Sequence, residues 1–362
     1  MLEPYTYYCP TRIFIQDNGI NDAGKIIKDL GYKKVFIIYG GQSLVKSGNF
    51  DLLIKSLKEN NIEFQSKGGV RANPEVEFIR QILPTIKEYK PDLILAVGGG
   101  SVIDTAKNIC VSYYYDGDPL DFNKWLVKPS KKLPLGTILT LAAAGSEMSN
   151  SCVISEDKTN FKQGFNSDFN RPDFSILDPK LTLTVPTFQT FAGLVDIISH
   201  SFERYFSPSS NYELCDEFAL SVIKQCVEIA PVLLNDPSNL EARRSMMITS
   251  TCSHNGWTSF GKPKTNFICH KVEHEMSGHN PKLTHGLGLR FLLGEFLEIN
   301  KDVLKDKIIH FGKFVFDIDN DVDKSIKAFK SFLDSLPLSK SMLEEGFTKE
   351  EETYYLNKLK LN

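Results

Sequence analysis

The 362-residue sequence lacks a long apolar run, a large net charge and closely paired cysteines. Its longest apolar candidate, residues 133–145, is interrupted by Pro, Thr and Gly and is shorter than the roughly 18 residues that a membrane-spanning helix needs. The first ten residues show no basic segment followed by an apolar one, so we expect no signal peptide. The seven cysteines form no Cys-x-x-Cys pair, which favours reduced thiols and a cytoplasmic protein. With 42 basic and 45 acidic residues, the chain has no excess of positive charge, and we expect neither nucleic acid nor a membrane as a partner.

What the sequence does contain is typical of a globular enzyme. Hydrophobic residues make up 41% of the chain and charged residues 24%, which are ordinary values for a soluble protein. A chain of 362 residues, at roughly 100–200 residues per domain, is long enough for two hydrophobic cores. We therefore expect two domains.

Short β-rich runs alternate with helical stretches in the first half of the sequence. This alternation is typical of βαβ units and predicts a mostly parallel sheet with helices on both faces. The predicted strands are Arg12–Gln16, Lys34–Tyr39, Ile62–Gln65, Asp92–Val97, Gly136–Leu141, Cys152–Ile154 and Ser175–Leu177. From about Val185 onward, long helical patterns replace the strands. The sequence thus predicts an α/β domain over residues 1–184 and an all-α domain over residues 185–362.

A glycine-rich turn, AVGGGSVIDTAK, follows directly from the strand predicted at Asp92–Val97. Glycines let a phosphate approach the backbone, and a helix that begins at Ser101 or Val102 offers N–H groups and a favourable dipole. Asp104 fits either a capping arrangement or a ligand contact. The pattern is neither GxGxxG nor a P-loop, and a plain tight turn is the alternative. We favour phosphate binding, and therefore a dinucleotide-binding α/β domain.

A second glycine turn, YGGQS, ends the strand predicted at Lys34–Tyr39. In dinucleotide-binding folds, an acidic residue at a comparable strand end binds the ribose hydroxyls and repels a 2′-phosphate. Gly40, Gly41, Gln42 and Ser43 include no acidic residue, and the basic Lys46 is close in sequence. The turn therefore favours NADP(H) over NAD(H), with an ordinary glycine turn as the alternative interpretation.

Histidines at helical spacing in the second half of the chain predict a metal site. Asp196 and His200 are four residues apart, as are His270 and His274, so each pair lies on one helix face, and His285 follows. One aspartate with three imidazoles makes a full set of ligands for Zn²⁺ or Fe²⁺. Whether the substrate adds a fifth ligand stays open. A single histidine on an apolar face is usually a core residue, but two such pairs and a further histidine favour a metal-binding all-α domain.

Taken together, these motifs resemble the iron-containing (group III) alcohol dehydrogenase family, and within it the butanol dehydrogenase-like, NADPH-dependent branch. The resemblance extends from about Tyr5 to His285. The segments that carry it are PTRIF, YGGQS, ANP, AVGGGSVIDTAK, LAAAGSEMS, ILDP, GLVDIISHSFERY, CHKVEHEMSG and THGLGL, in the family's order.

The resemblance implies a role for each matching residue and a reaction: hydride transfer between a nicotinamide and a small alcohol or aldehyde held by one divalent metal ion, Fe²⁺ or Zn²⁺. It also implies a homodimer. The implied metal ligands are Asp196, His200, His270 and His285, with Asp196, His200 and the near-metal His274 as catalytic residues. The implied cofactor residues are Gly40, Gly41 and Ser43 for the 2′-phosphate end, Gly99, Gly100 and Ser101 for the pyrophosphate, Asp104 near the nicotinamide, and Gln42, Asn73, Gly98, Thr140 and Lys162 as further contacts.

Two other interpretations remain open at this stage. The chain resembles, less closely, the polyol dehydrogenases and the dehydroquinate synthase-like members of the same superfamily. It also departs from the family pattern at Ala144, where a threonine is usual, and at Ser149, where an asparagine is frequent, and the region after His285 is divergent. These departures are compatible with a metal- and nucleotide-binding homologue of impaired activity.

Overall fold

The computed structural model describes residues 5–207, 213–262 and 265–361. Contacts within the chain divide these residues into two units. One unit comprises residues 8–185, and the other comprises the residues from Pro186 onward together with Tyr5–Tyr7. The rings of Tyr5 and Tyr7 contact the ring of Phe260, with centroids 5.7 and 5.3 Å apart, so these residues belong to the helical unit and not to the α/β domain predicted over residues 1–184. Among the described residues, no helix is long and apolar enough to cross a membrane.

The first unit contains eight strands and five α-helices in its described residues. The strands are β1 (Arg12–Ile15), β2 (Lys34–Tyr39), β3 (Glu63–Lys67), β4 (Leu93–Gly98), β5 (Leu135–Leu139), β6 (Ser151–Glu156), β7 (Phe161–Asn166) and β8 (Phe174–Leu177). The helices are α1 (Ala23–Asp29), α2 (Ser43–Lys46), α3 (Asn49–Glu59), α4 (Val76–Tyr89) and α5 (Gly100–Ser112). All residues of β4 and β5 are buried, as expected for central strands covered by helices on both sides.

Six strands form one parallel sheet, and side chains alternate between its two faces. On one face, Val35 and Ile37 of β2 pack with residues of α1 and α3, including Ile27 and Leu53. On the other face, the ring of Phe36 contacts the ring of Tyr89 in α4, with centroids 5.8 Å apart. The sequence therefore predicts the fold class of this unit correctly.

The strand order β1-β8-β5-β4-β2-β3 contains a topological switch point. From β2 the chain moves outward to β3, and it then returns to place β4 on the opposite side of β2. Open α/β sheets bind ligands in the crevice outside the carboxyl ends of the strands at such a point. In register, Tyr39 pairs with Val97 and Gly98 pairs with Leu139, so the ends of β2, β4 and β5 lie side by side.

Strands β6 and β7 form a separate antiparallel hairpin. Strand β6 contains the predicted Cys152–Ile154, but β7 has no counterpart among the predicted strands. Its sequence, FKQGFN, contains a lysine and a glycine, and only one of its residues is buried. It therefore lacks the apolar run that marks the buried strands.

The second unit is helical in its described residues, as predicted. Its helices are α6 (Thr187–Tyr205), α7 (Glu213–Asn235), α8 (Leu240–His254), α9 (Ile268–His279), α10 (His285–Ile299), α11 (Lys305–Phe316), α12 (Val322–Ser335) and α13 (Lys349–Asn357). Helices α6 and α10 pack closely at Gly286, where an added Cβ would lie 1.9 Å from the carbonyl oxygen of Ala192. This close approach places His285, the first residue of α10, near Asp196, one turn beyond Ala192 in α6.

Candidate functional site

Asp196 and His200 lie one turn apart on the buried face of α6, as their spacing predicts. The Nδ1 atom of His200 donates a hydrogen bond to the main-chain carbonyl oxygen of Asp196 at 2.9 Å, and it lies 3.4 Å from Oδ1 of the Asp196 carboxylate. With Nδ1 occupied in this way, Nε2 is the nitrogen of His200 that remains to act as a ligand.

Two histidines from other helices approach the same carboxylate. Nε2 of His270 in α9 lies 4.0 Å from Oδ1 of Asp196, and Nε2 of His285 in α10 lies 3.8 Å from it. Donor atoms about 2.0–2.2 Å from a shared ion are at most roughly 4.3 Å apart, so both distances fit one ion. In the described chain, Asp196, His270 and His285 are brought together with donor atoms all within 4.8 Å of one another.

The Nε2 atom of His270 supports the same interpretation. It is buried, and it has no hydrogen-bond partner within the described residues. A buried polar atom without a partner is rare and costly, and coordination of a metal ion would satisfy it. The donor set of one carboxylate and imidazoles also suits Fe²⁺ or Zn²⁺.

His200 lies beside this group of three rather than within it. Its ring centroid is 4.6 Å from that of His270 and 4.1 Å from that of His254 in α8. Burial lowers the pKa of His200 well below its usual value, and the neighbouring His254 and His270 lower it further. His200 is therefore neutral at physiological pH, which is the form that binds a metal.

His274 and His254 line the borders of the cluster. His274 is half-buried, and its ring centroid lies 5.5 Å from that of His285 and 6.4 Å from that of His270. A donor atom of His274 also falls within 4.8 Å of donors of Glu273 and His285. His254, which the sequence did not single out, accepts from the Arg204 guanidinium at 3.4 Å.

Two buried glutamates, which were also missed from the sequence, contact the clustered histidines. Nδ1 of His270 donates to the carboxylate of Glu203, which is 2% exposed, and Nδ1 of His285 donates to that of Glu273, which is 0% exposed. Glu203 follows Asp196 by seven residues and so shares its helix face, a spacing that could have identified it. Glu273 directly precedes His274, and its spacing gives no comparable signal.

In the α/β unit, the two predicted glycine turns lie next to each other at the carboxyl edge of the sheet. Gly40 and Gly41 follow β2, and Gly99 and Gly100 follow β4 on the far side of the switch point. Helix α5 begins at Gly100, slightly earlier than expected, and its N-cap, Gly99, has no side chain to cap the first N–H groups. These N–H groups and the helix dipole form a site suited to a phosphate.

The remaining turn residues predicted to bind the cofactor lie along the same edge. The backbone N–H of Thr140, directly after β5, donates to the carbonyl of Gly98 at 3.1 Å. A Cβ at Gly98 would lie 2.5 Å from the side chain of Val102, so this position requires glycine. Gln42, Ser43 and Ser101 are exposed or half-buried at the starts of α2 and α5.

Asn73 and Lys162 are brought together from distant parts of the sequence. Nζ of Lys162 in β7 donates to Oδ1 of Asn73 at 3.1 Å. Asn73 has a φ of 51°, in the left-handed region that asparagine tolerates. The loop after β3 that leads to Asn73 also lies against the first glycine turn, because the N–H of Gly69 donates to the carbonyl of Gly40 at 2.7 Å.

Asp104 makes contacts different from the capping arrangement considered above. It is the fifth residue of α5, and its carboxylate accepts from Ser146 Oγ at 2.5 Å and from the Val153 N–H at 2.8 Å. Lys107, one turn further along α5, is 0% exposed and was missed from the sequence. Burial raises the pKa of Asp104 and lowers that of Lys107, while the attraction between the two side chains opposes both shifts.

An open parallel sheet whose glycine edge is suited to a phosphate, together with a helical unit that carries an Asp/His cluster, is typical of the class of nicotinamide- and metal-dependent dehydrogenases. Family comparisons agree with this class. The profile "Iron-containing alcohol dehydrogenase" matches residues 10–179, and the profile "Fe-containing alcohol dehydrogenase family, C-terminal" matches residues 190–357. The chain therefore belongs to the iron-containing alcohol dehydrogenase family.

Individual relatives give the same result. The chain is 38% identical to NADH-dependent butanol dehydrogenase A of Clostridium acetobutylicum, over 96% of this chain and 90% of that one. It is 30% identical to NADPH-dependent aldehyde reductase YqhD of Escherichia coli, over 94% of this chain and 89% of that one. The crystal structure of NADH-dependent butanol dehydrogenase A from Thermotoga maritima superposes with a TM-score of 0.94, at 31% identity, over 99% of this chain and 90% of that one.

These comparisons confirm the predicted family, the fold class and an oxidoreductase of the alcohol dehydrogenase and aldehyde reductase type. The family binds NAD(P) and a divalent metal, which is the coarser part of the cofactor prediction. The divergent region after His285 belongs to the family's C-terminal domain, since the profile match continues to residue 357.

Proposed function

We propose that this chain is a cytoplasmic, metal-dependent, NADP(H)-linked dehydrogenase that interconverts small alcohols and aldehydes. The observation that carries the proposal is the convergence of Asp196, His270 and His285 from three helices, with the buried Nε2 of His270 directed into the cluster. In this proposal, residues 1–184 hold the dinucleotide and residues 185–362 hold the metal ion.

The side chains that would hold the ion are Asp196, His200, His270 and His285. When bound, a divalent ion supplies a Lewis acid for the substrate oxygen, and the nicotinamide supplies or accepts the hydride. Among these four ligands, Asp196 contributes the charged one, and the three imidazoles contribute neutral ligands. His274 is half-buried beside His285, and we assign it the transfer of the proton, through an imidazole nitrogen, to or from the substrate oxygen.

The cofactor would lie along the glycine edge of the sheet. Gly98, Gly99, Gly100 and Ser101 bind the pyrophosphate through backbone N–H groups at the start of α5. Gly40, Gly41, Gln42 and Ser43 would hold the adenosine 2′-phosphate. The other predicted contacts to the cofactor are Asn73, Asp104, Thr140 and Lys162.

The test of the function is an assay of the purified chain after loading with Fe²⁺ or Zn²⁺. Oxidation of NADPH and of NADH is followed with short-chain aldehydes, and reduction of NADP⁺ and of NAD⁺ is followed with short-chain alcohols and polyols. We expect turnover with aldehydes. A preference for polyols would support the polyol dehydrogenase alternative. NADPH binding without any turnover would overturn the proposed enzyme and support a homologue of impaired activity.

Cofactor preference is tested by replacing Gly41 with aspartate. A Cβ added at Gly41 would have no other atom within 4 Å, so the substitution fits without a change in packing. The new carboxylate repels a 2′-phosphate but accepts hydrogen bonds from ribose hydroxyls. We expect kcat/KM for NADPH to fall about tenfold or more relative to that for NADH, equivalent to at least about 1.4 kcal/mol. Gly41→Asn is the uncharged control, and an unchanged preference in Gly41→Asp would show that this turn does not contact the 2′-phosphate.

We also propose that the chain forms a homodimer. Strand β1 lies at the end of the sheet, and within the described residues its outer edge pairs with no other strand. Such an edge is a ready surface for pairing with another chain. Light scattering on the purified protein should give twice the mass of one chain, and the mass of a single chain would contradict the proposal.

A further inference from the structure

Each of the three histidines proposed as metal ligands has its Nδ1 atom engaged by an oxygen. His200 donates to the main-chain carbonyl of Asp196, His270 to Glu203, and His285 to Glu273. We propose that Glu203 and Glu273 are positioning residues of the metal centre, which fix the Nε2 atoms of His270 and His285 toward Asp196 and strengthen metal retention through their charge. This inference rests on the metal site of the proposed function.

Glu203 connects α6 to the beginning of α9. One of its carboxylate oxygens accepts from the N–H of Cys269 at 2.6 Å, and the other accepts from the N–H of His270 at 3.3 Å as well as from the His270 ring. The same carboxylate therefore satisfies N–H groups in the first turn of α9 and orients the ring of a ligand. Its loss would affect both the helix start and the metal site.

Glu273 contacts its histidine without this additional capping role. Its side chain packs against α10 at Gly288, where an added Cβ would lie 2.7 Å from Cγ of Glu273. The ring that it holds is the more exposed of the two, since the side chain of His285 is 25% exposed whereas that of His270 is 9% exposed. Glu273 is thus the cleaner position for a test.

Charge provides a second argument. Glu203, Glu273 and Asp196 are buried carboxylates, and burial of carboxylates is costly unless a nearby cation compensates. These glutamates contact the histidines that would hold a divalent cation. The positive charge of that cation would compensate the negative charge of the carboxylates. Carboxylates behind ligand histidines are known to fix the tautomer and to raise ligand basicity, and their loss typically weakens metal binding 10–100-fold.

The experiment measures the dissociation constants of Zn²⁺ and Co²⁺ by competition with a chelator in the full-length protein. Glu273→Gln keeps an oxygen acceptor for Nδ1 but removes the charge, and Glu273→Leu removes both. We expect the affinity to decrease from wild type to Glu273→Gln to Glu273→Leu, with the leucine variant about 10–100-fold weaker than wild type. The visible absorption of bound Co²⁺ reports directly on a change of its ligands.

The matched control is Glu275→Gln in the same helix. Glu275 accepts from Lys358 Nζ at 2.7 Å and from Tyr354 at 2.8 Å, and it does not contact a proposed ligand in the described structure. Its replacement should leave both metal affinities within twofold of wild type. NADPH affinity and the unfolding temperature of the metal-free protein identify folded variants. If the leucine variant does not fold, the comparison of Glu273→Gln with Glu275→Gln decides the outcome.

Failure of the inference is distinguishable from failure of the proposed function. If wild type binds the metal tightly and both Glu273 variants bind it with the affinity of wild type, the positioning role is overturned and the metal site remains intact. A wild-type protein that binds neither ion would overturn the metal site itself, and the positioning role with it.

Discussion

Replacement of His270 with alanine is expected to release the metal ion and to abolish nearly all turnover while NADP(H) affinity is retained. Nε2 of His270 is buried and lies 4.0 Å from Oδ1 of Asp196, so the substitution removes a donor atom from the centre of the cluster. Loss of a direct ligand should weaken metal binding by more than the roughly 10–100-fold typical of the residues behind the ligands. A Lewis acid contributes several kcal/mol to the transition state, which corresponds to a fall in kcat of at least about 10³-fold.

The metal content of the purified variant, measured after dialysis by elemental analysis, checks this expectation. His279→Ala is the control on the same helix, since His279 is exposed and its Nδ1 pairs with the hydroxyl of Tyr355 at 2.8 Å. We expect that control to retain the ion. A His270→Ala protein that still contains one ion per chain would show that the proposed ligand set is wrong.

The fold could be predicted where local sequence and tertiary environment point to the same structure. The strand Lys34–Tyr39 is observed with the predicted bounds, because an uninterrupted apolar run in a parallel sheet is buried from both sides. Strand β4 begins and ends one residue later than predicted. Strand β7 escaped prediction because its stability comes from pairing with β6 and from no apolar pattern of its own.

The site was predicted less completely, and the reason lies in sequence separation. The helical spacing of Asp196 and His200 is visible in a short window of sequence. The spacing of Glu203 from Asp196 indicates a shared helix face but not a partner. The contact of Glu203 with His270 spans 67 positions, and that partner becomes identifiable only when α6 and α9 are packed together. Glu273 is three residues from His270, yet it serves His285 on the next helix. Partner choice of this kind depends on helix packing, which spacing alone does not specify.

The second large effect is expected from Lys107 in the α/β unit, where Lys107→Met should lower stability by about 3–5 kcal/mol, the usual cost of leaving a buried charge without its partner. The ammonium group of Lys107 lies 3.7 Å from the Asp104 carboxylate. It donates to Ser146 Oγ at 2.7 Å, to Ser149 at 3.1 and 3.2 Å, and to the carbonyl of Ser151 at 2.7 Å. Methionine fills the volume but satisfies none of these acceptors.

Denaturant unfolding of Lys107→Met, of Asp104→Asn and of the double variant measures this effect. Lys58→Met, in an exposed part of α3, is the control and should change stability by no more than about 0.5 kcal/mol. The double variant Asp104→Asn, Lys107→Met removes both charges, so we expect it to be more stable than Lys107→Met alone. Additive losses in the double variant would show that the two side chains do not form a coupled pair.

The consequence for the cofactor follows from what Lys107 holds in place. Its acceptors lie in the segment from Ser146 to Ser151. Ala144, two residues before that segment, lies against α5, since a Cβ added at Gly100 would be 3.1 Å from the Cβ of Ala144. Lys107 thereby ties the loop after β5 to the first turn of the helix proposed to bind the pyrophosphate. In protein that remains folded, Lys107→Met should weaken NADPH binding and leave the metal dissociation constant unchanged. An equal loss of both affinities would instead indicate general unfolding, because the proposed metal ligands all belong to the helical unit.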